Sequence, residues 1–373
     1  MNKNFSKYIK IFDTTLRDGE QMPGVVFTPE QKIKLAQISS DFGVDIIDLM
    51  PIVSEQEKMT AKKIANLGLE SEISASCRLK KEDIDVALDC DIKRITLFTP
   101  LSDLHLQYKL RIDKEENLIR AMSMIDYASD HGLKVDFAGE DSTRANRDYL
   151  IDFINSISNK IEIFFVADTL GCLTPPQTYE IISDVKKNCK CLIGLHVHND
   201  FAQSTANTLE GLRAGADIFS GTFTGIGERA GNAPIEEVCV GLKFLYGIDL
   251  RIKYEKTTEI CRLVEMYSGV WLQHHKPFVG RNAFTHESGI HADGVIKHPR
   301  TYENFDPELI GQERRFFFGK HTGRGILRHI LVDIPESDLI QILNRIKSVS
   351  ESQKISLSEE DVINLHSYAT KVL

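Results

Sequence analysis

The chain has 373 residues, of which 42% are hydrophobic and 27% charged, a composition ordinary for a globular protein. A formal net charge of -9 without a long Lys/Arg run excludes a general nucleic-acid binder. No segment approaches the roughly 20 apolar residues of a membrane span, and the first residues lack the apolar stretch of a signal peptide. We therefore expect a soluble protein of the cytoplasm that does not bind membranes.

The cysteines support a reducing compartment. Seven of them in a chain of this length are not a disulfide framework. Cys189 and Cys191 form a C-x-C pair, but no second thiol pair with zinc-site spacing follows. We interpret this pair as exposed loop residues.

Short β-branched runs recur over the first 223 residues, and each is followed by a stretch long enough for a helix. The predicted strands cover residues 9–14, 44–49, 72–76, 94–98, 133–138, 161–167, 191–197 and 216–223. Eight strands alternating with helices predict an α/β fold, the TIM (β/α)8 barrel. The first helix has clear boundaries, with Thr28 as N-cap, Pro29 in the first turn and Gly43 as the stop.

The strand–helix alternation ends near residue 250. A helical stretch, TTEICRLVEMYSGV, is followed by a polar segment, residues 274–325, for which we predict mainly loops. Two further helices are predicted in SDLIQILNRIKSV and SEEDVINLHSYATKVL. We therefore predict a catalytic barrel over residues 1–275 and a small, mainly helical C-terminal region over residues 276–373.

Polar residues gather where five of the predicted strands end, which is where TIM barrels place their catalytic groups. These segments are residues 14–21, 140–141, 168–169, 196–200 and 225–232. A surplus of polar residues at so many strand ends predicts an active site at this face of the barrel.

His196 and His198 are the strongest signal, because residues two apart on a strand point to the same side. Asp18, at the end of the first strand, is expected at the same end of the barrel as the two histidines. Asn232 would add an amide oxygen as a further metal ligand. Hydrogen bonding of the two histidines to each other and to the backbone is the alternative. A ligand set of carboxylate, imidazole and amide without thiolate suits Mg²⁺, Mn²⁺ or Zn²⁺ in an open site. Such a metal would polarise the carbonyl of a 2-oxo acid.

Two further groups have weaker signals. Arg17 presents a planar fork that suits a carboxylate or a developing oxyanion, although an ion pair with Glu20, Glu140 or Glu228 would also account for it. Outside the barrel, the histidines of HESGIHADG and the following Tyr302 would supply a base or an acid for carbon–carbon bond formation, or are surface residues.

These motifs resemble those of the 2-isopropylmalate synthase/homocitrate synthase family, barrel-fold acyltransferases of the Claisen type. The matching stretches are DTTLRDGEQMPG (13–24), GEDSTRA (139–145), ADTLG (167–171), HVHND (196–200), GIGERAGNAPIEEV (225–238), HESGIHADGV (286–295), TYENFDPELIG (301–311) and GKHTGR (319–324). They occur in the same order as in the family and span nearly the whole chain. The opening motif, HVHND and GERAGN together are highly specific.

The resemblance implies a role for each matching residue. The implied metal ligands are Asp18, His196, His198 and, in the isopropylmalate-type branch, Asn232. The implied substrate-binding residues are Arg17, Gln21, Glu140 and Thr169, and the implied catalytic residues are Arg17, Glu140, His291 and Tyr302. Family members place the histidine and the tyrosine over the barrel of the partner subunit. The resemblance therefore implies a homodimer with exchanged C-terminal segments, in which residues 276–373 act as a lid.

The implied reaction is enolisation of acetyl-CoA, attack on the keto carbon of a metal-bound 2-oxo acid, and hydrolysis of the CoA thioester. The segment 284–311 looks closest to the homocitrate synthases of nitrogen-fixing bacteria, so homocitrate is the first candidate product. Asp136, however, stands where the lysine-pathway homocitrate synthases carry an arginine for the distal carboxylate of 2-oxoglutarate. Arg78 is the alternative cation for that carboxylate.

Other positions also depart from the family pattern. Leu49 and Met50 add bulk after the second strand, and Thr96 stands where many members carry a histidine. The alternatives within the class are therefore 2-isopropylmalate, citramalate, Re-citrate and phosphonomethylmalate synthases. A metal-dependent aldolase or lyase and a non-catalytic binding protein are the alternatives outside it.

Overall fold

The structure is a computed structural model that describes the backbone of residues 5–371. It consists of two compact units, Met1–Trp271 and Leu272–Leu373. In the first unit, eight strands form a closed parallel barrel in the order β1 to β8. The predicted fold class is therefore confirmed.

Every strand of the barrel overlaps a strand predicted from the sequence. The strands are β1 (Lys10–Asp13), β2 (Ile46–Leu49), β3 (Glu72–Arg78), β4 (Arg94–Pro100), β5 (Lys134–Glu140), β6 (Ile163–Asp168), β7 (Leu192–Val197) and β8 (Ile218–Gly221). Parallel pairing of β1 with β8, with Ile11 opposite Phe219, closes the barrel. The carboxyl ends of all eight strands consequently open at one face.

From residue 5 onwards, ten α-helices of the first unit surround this sheet or connect its strands. They are α1 (Pro29–Phe42), α2 (Glu55–Ala65), α3 (Lys81–Asp89), α4 (Asp103–His105), α5 (Lys114–Asp130), α6 (Arg147–Ile157), α7 (Pro175–Asn188), α8 (Ser204–Arg213), α9 (Ile235–Tyr246) and α10 (Thr257–Ser268). The predicted limits of α1 are confirmed: Thr28 and Gln31 form a capping box, and Gly43 ends the helix with a φ of 109°. A Cβ at Gly43 would also lie 2.8 Å from the carbonyl oxygen of Arg251.

The barrel interior combines an apolar cluster with a buried charged group. Phe12, Phe165 and Ile218 belong to a cluster of buried side chains contributed by β1, β2, β6 and β8. At the start of β4, Arg94 is 1% exposed and pairs with Asp136 on β5. Because β5 side chains alternate, Asp136 points to the same side of its strand as Ala138 and Glu140, and it is the furthest of the three from the mouth.

The second unit has its own core. Its elements are β9 (Thr285–His286), β10 (Arg315–Phe316), α11 (Gly289–Lys297), α12 (Arg324–Ile330), α13 (Glu336–Gln353) and α14 (Glu359–Lys371). Phe318, Leu339 and Ile346 are among the buried residues that pack together there. The helix α11 lies inside the segment predicted as mainly loops. Gly289 and Gly294 lower the helix propensity of α11, so the sequence pattern does not indicate a helix there.

The interpretation of Cys189 and Cys191 as exposed loop residues is wrong, because both side chains are buried. Burial raises the pKa of these thiols to about 12 and about 11, which keeps them protonated. Cys189 directly follows α7 and Cys191 directly precedes β7. Within residues 5–371, no helix is long and apolar enough to cross a membrane.

Candidate active site

A cavity of about 540 Å³ opens at the carboxyl ends of the barrel strands. On one side it is lined by residues of β1, β7 and β8 and the loops that follow them, including Asp18, His196 and His198. The opposite side is lined by residues of β2 to β5. The cavity therefore lies at the face of the barrel where the strand-end residues predicted an active site.

Asp18, His196 and His198 converge in this cavity. The Nε2 atoms of the two histidines are 3.1 Å apart, and Asp18 Oδ2 lies 3.3 Å from His196 Nε2 and 3.9 Å from His198 Nε2. Neighbouring ligands of one ion are separated by about 3 Å when each bond is about 2.1 Å long. The three side chains thus have the spacing that a divalent cation needs, with only small adjustments.

The surroundings of the histidines also fit a cation. His196 Nδ1 contacts Ser220 Oγ at 2.9 Å, which fixes the ring and turns Nε2 towards Asp18. His198 is buried, its Nδ1 has no hydrogen-bond partner, and burial lowers its pKa to about 4. The His198 ring is therefore held in the neutral form that binds metals.

Asn232 contacts the same cluster. Its amide nitrogen donates to Asp18 Oδ1 at 3.1 Å, while its amide oxygen is buried without a hydrogen-bond partner. The loop follows a path that glycine permits: a Cβ at Gly227 would lie 2.0 Å from Asn232 Nδ2, and one at Gly231 2.0 Å from the Gly225 carbonyl oxygen. The glycines of GIGERAGN thus bring Asn232 up to Asp18.

Arg17 is held between two carboxylates. Its Nη1 donates to Asp18 Oδ2 and its Nε to Asp48 Oδ2, both at 2.9 Å. These partners differ from the three glutamates considered as alternatives from the sequence. Burial alone would raise the pKa of Asp18, but the charge of Arg17 together with the interactions of His196 and His198 outweighs it and holds that pKa well below its usual range. Asp18 is therefore a carboxylate at neutral pH, as a cation ligand has to be.

The predicted substrate-binding residues Gln21, Glu140 and Thr169 also line the cavity. Thr169 Oγ1 accepts a hydrogen bond from the backbone N–H of Asp141 at 2.8 Å. Glu140 accepts two bonds from Lys109 Nζ, at 2.7 and 2.8 Å. The structure therefore brings these three residues to the same cavity as the cluster.

Two charged residues of the cavity were not predicted from the sequence. Lys109 lies in the π-helical turn Leu106–Leu110 after β4, and Asp48 lies near the end of β2. Polar residues at strand ends predicted the other site residues. The same criterion, applied to β2 and β4, predicts Asp48 and Lys109. Arg78 does not line the cavity, because Asp83 holds it through two bonds of 2.8 Å.

His291 and Tyr302 belong to the second unit, where they contact each other. Their ring centroids are 4.1 Å apart at an angle of 34°. Next to Tyr302, the buried Glu303 accepts hydrogen bonds from His286 Nε2 at 3.0 Å and Arg314 Nε at 2.8 Å. This arrangement ties the tyrosine segment to β9, which directly precedes the histidine helix.

Two family models match the chain in succession. An HMGL-like model covers residues 8–264, and a model described as homocitrate synthase post-HMGL domain-like covers residues 278–354. Hydroxymethylglutaryl-CoA lyase from Pseudomonas aeruginosa, with a TM-score of 0.65 at 19% identity, covers 76% of this chain and 98% of its own. At this identity the likeness shows the fold.

Three curated relatives are similar over nearly the whole chain. The 2-isopropylmalate synthase of Methanocaldococcus jannaschii is 43% identical over 97% of this chain and 71% of its own length. The homocitrate synthase AksA of Methanothermobacter thermautotrophicus is 42% identical over 94% of this chain and 91% of its own. The (R)-citramalate synthase CimA of M. jannaschii is 41% identical over 95% and 73%. The chain therefore belongs to the HMGL-like family that includes the 2-isopropylmalate, homocitrate and citramalate synthases.

Proposed function

We propose that the barrel cavity catalyses a Claisen-type condensation of acetyl-CoA with a 2-oxo acid, followed by hydrolysis of the thioester. The product is a 2-hydroxy-2-carboxymethyl acid. The observation that carries this proposal is the cluster of Asp18, His196 and His198 beside Arg17, in a chain whose relatives are such synthases.

A divalent cation, Mg²⁺, Mn²⁺ or Zn²⁺, would be held by the cluster with Asn232 and would supply Lewis-acid polarisation of a carbonyl group. Arg17 orients the carboxylate of the oxo acid, since its guanidinium is already fixed by Asp18 and Asp48. Thr169 and Gln21 line the space for the same group. Glu140, which holds Lys109, lines the pocket of the oxo acid together with Thr169.

His291 and Tyr302 are proposed to transfer protons over the barrel of a partner copy, with residues 276–373 as an exchanged lid. Exposed apolar side chains support this arrangement: Val26, Tyr108 and Phe201 lie in segments that follow barrel strands, and Ile290 lies beside His291. Isolated exposed apolar residues are common, but several at one functional face are typical of a covered surface. We propose a cytoplasmic homodimer that needs neither a membrane nor a nucleic acid.

The function is tested by acetyl-CoA-dependent thiol release, with Mn²⁺ or Mg²⁺ present and 2-oxoglutarate, 2-oxoisovalerate, pyruvate, oxaloacetate and phosphonopyruvate as acceptors. Release that depends on at least one acceptor and is absent in His196→Ala supports the proposal. Absence of stimulation by every acceptor would refute acyl transfer.

A further inference from the structure

Opposite the Asp18–His196–His198 cluster, the cavity is lined by Asp48, by the Lys109–Glu140 ion pair and by a set of uncharged residues, the uncharged side. Met50, Ser76, Thr96, Phe98 and Ala138 line it from β3, β4 and β5 and the end of β2. Strands β3 to β5 lie across the eight-stranded barrel from β7, β8 and β1, which carry the cluster. An oxo acid whose carboxylate and keto group face the cluster therefore directs its side chain towards these five residues.

Each cation that lines the cavity is already neutralised, as far as the described residues show. The pairs are Arg17 with Asp48, Lys109 with Glu140 and Arg229 with Asp200, with shortest N–O distances of 2.9, 2.7 and 2.9 Å. A second carboxylate on the substrate would have to displace a protein carboxylate from one of them. The displaced group would then lose its own partner.

The hydroxyl groups of the uncharged side are also satisfied. Ser76 Oγ donates to Asp48 Oδ2 at 2.7 Å, and Thr96 Oγ1 is 3.1 Å from Ser74 Oγ. On Asp48 itself, the buried Oδ1 atom lacks a hydrogen-bond partner. A carboxylate oxygen in this position repels a substrate carboxylate, while an alkyl group tolerates it better.

The layer below the cavity does not supply a cation either. Arg94 contacts both oxygens of Asp136 at 2.8 Å, and also pairs with Glu72 at 2.9 Å and Glu162 at 2.8 Å. Each of the three nitrogen atoms of Arg94 thus donates to a carboxylate, so the guanidinium is not available to a substrate carboxylate.

On the basis of the proposed condensation, we propose that the 2-oxo acid of this enzyme carries an uncharged side chain, held against Met50, Phe98 and Ala138. Dicarboxylic 2-oxo acids are then poor substrates. This assignment favours an isopropylmalate- or citramalate-type product over the homocitrate suggested by the resemblance of segment 284–311.

The experiment compares acceptors matched in shape. 5-Methyl-2-oxohexanoate replaces the distal carboxylate of 2-oxoglutarate by an isopropyl group, and 4-methyl-2-oxopentanoate does the same for oxaloacetate; pyruvate and 2-oxoisovalerate complete the uncharged set. We expect the best uncharged acceptor to exceed the best dicarboxylic acceptor in kcat/KM by about tenfold or more, equivalent to about 1.4 kcal/mol. A dicarboxylic acceptor that equals or exceeds every uncharged one would overturn the inference.

A failure of the proposed condensation is recognised separately. If no acceptor causes thiol release, the condensation is refuted. Calorimetry with the same acids and the Mn²⁺-loaded protein then tests the inference, which requires the best uncharged acid to bind about tenfold more tightly than the best dicarboxylic acid. Thr96→Lys, which adds a cation to the uncharged side, is expected to shift the preference towards dicarboxylic acids by about tenfold. Thr96→Met, similar in length and neutral, should leave the preference for uncharged acceptors in place.

Discussion

Asn232 donates a hydrogen bond from its amide nitrogen to Asp18 Oδ1 at 3.1 Å, which leaves its own amide oxygen buried without a partner. The two ends of an amide are nearly equal in size, so a half-turn would present the oxygen to a cation instead. In the present orientation Asn232 holds the metal ligand Asp18 in place, and in the turned orientation its own amide oxygen would be a ligand. We expect Asn232→Ala to weaken Mn²⁺ binding about 10–100-fold, measured by calorimetry.

Asn207→Ala is the matched control for Asn232. Asn207 is also a buried asparagine, but its Nδ2 donates to the backbone of Leu173 at 2.8 Å, and it does not line the cavity. This control should lower the stability without changing the affinity for Mn²⁺. Equal effects of both variants on Mn²⁺ binding would mean that Asn232 acts on the fold alone.

Removal of the cluster is expected to abolish turnover while the barrel still folds. His196→Ala and Asp18→Ala each remove one of three atoms that lie within 4.8 Å of one another. Circular dichroism should remain that of the parent, and EDTA should reduce the activity of the parent to the level of the variants. Addition of Mn²⁺ should then restore the parent and raise its Tm, because a ligand that binds only the folded state stabilises it. A near-normal rate in either variant would contradict the metal assignment.

Exchange of lids between subunits is tested by complementation. His196→Ala disables the barrel, and His291→Ala disables the second unit. If each active site uses a barrel from one copy and a lid from the other, a mixed dimer carries one intact site, so co-folding of the two inactive variants should restore part of the activity. A mixture as inactive as its components would argue for sites completed within one chain. Light scattering that shows a monomer would exclude the exchange directly.

Much of the barrel and its cluster could be predicted because the signals are local and periodic. His196 and His198 face the same side because side chains alternate along a strand. Thr28 begins α1 and Gly43 ends it through contacts with nearby residues in the sequence. The family and its reaction class were predicted from the motifs and are confirmed by the relatives. The hydrogen-bond partners of Arg17 were not predictable, since Asp48 reaches it from another strand, 31 residues away.

The misjudged positions have the same physical origin. Cys189 and Cys191 lie in a polar stretch, and their burial is decided by the sheet and helix on either side. Asp136 was interpreted as a substrate-pocket position, yet it pairs with Arg94 below the cavity. The local sequence does not predict this ion pair, because its two members are 42 residues apart and come into contact only when β4 and β5 pair. The specificity of the pocket depends on such contacts, which is why the substrate was the weakest prediction.

The pair of Arg94 and Asp136 has a consequence for stability that depends on pH. Burial raises the pKa of Asp136 to about 7, although Arg94 acts in the opposite direction. Between the unfolded pKa of about 4 and this value, the folded protein holds a proton that the unfolded chain has lost. The contribution of Asp136 to stability is therefore greatest at the acid end of this window and falls as the pH rises towards 7.

Arg94→Met should for this reason be far more damaging at pH 8 than at pH 5. At pH 8 it leaves the buried Asp136 carboxylate without its cation, at a cost of about 3–5 kcal/mol, whereas at pH 5 Asp136 is protonated and the loss is smaller. Urea denaturation at both pH values measures the difference. Arg94→Met combined with Asp136→Asn is the control, since it removes both charges and should recover much of the stability lost at pH 8. A single variant equally destabilised at both pH values would show that Arg94 contributes by packing, and that its charge is not what holds this layer of the barrel together.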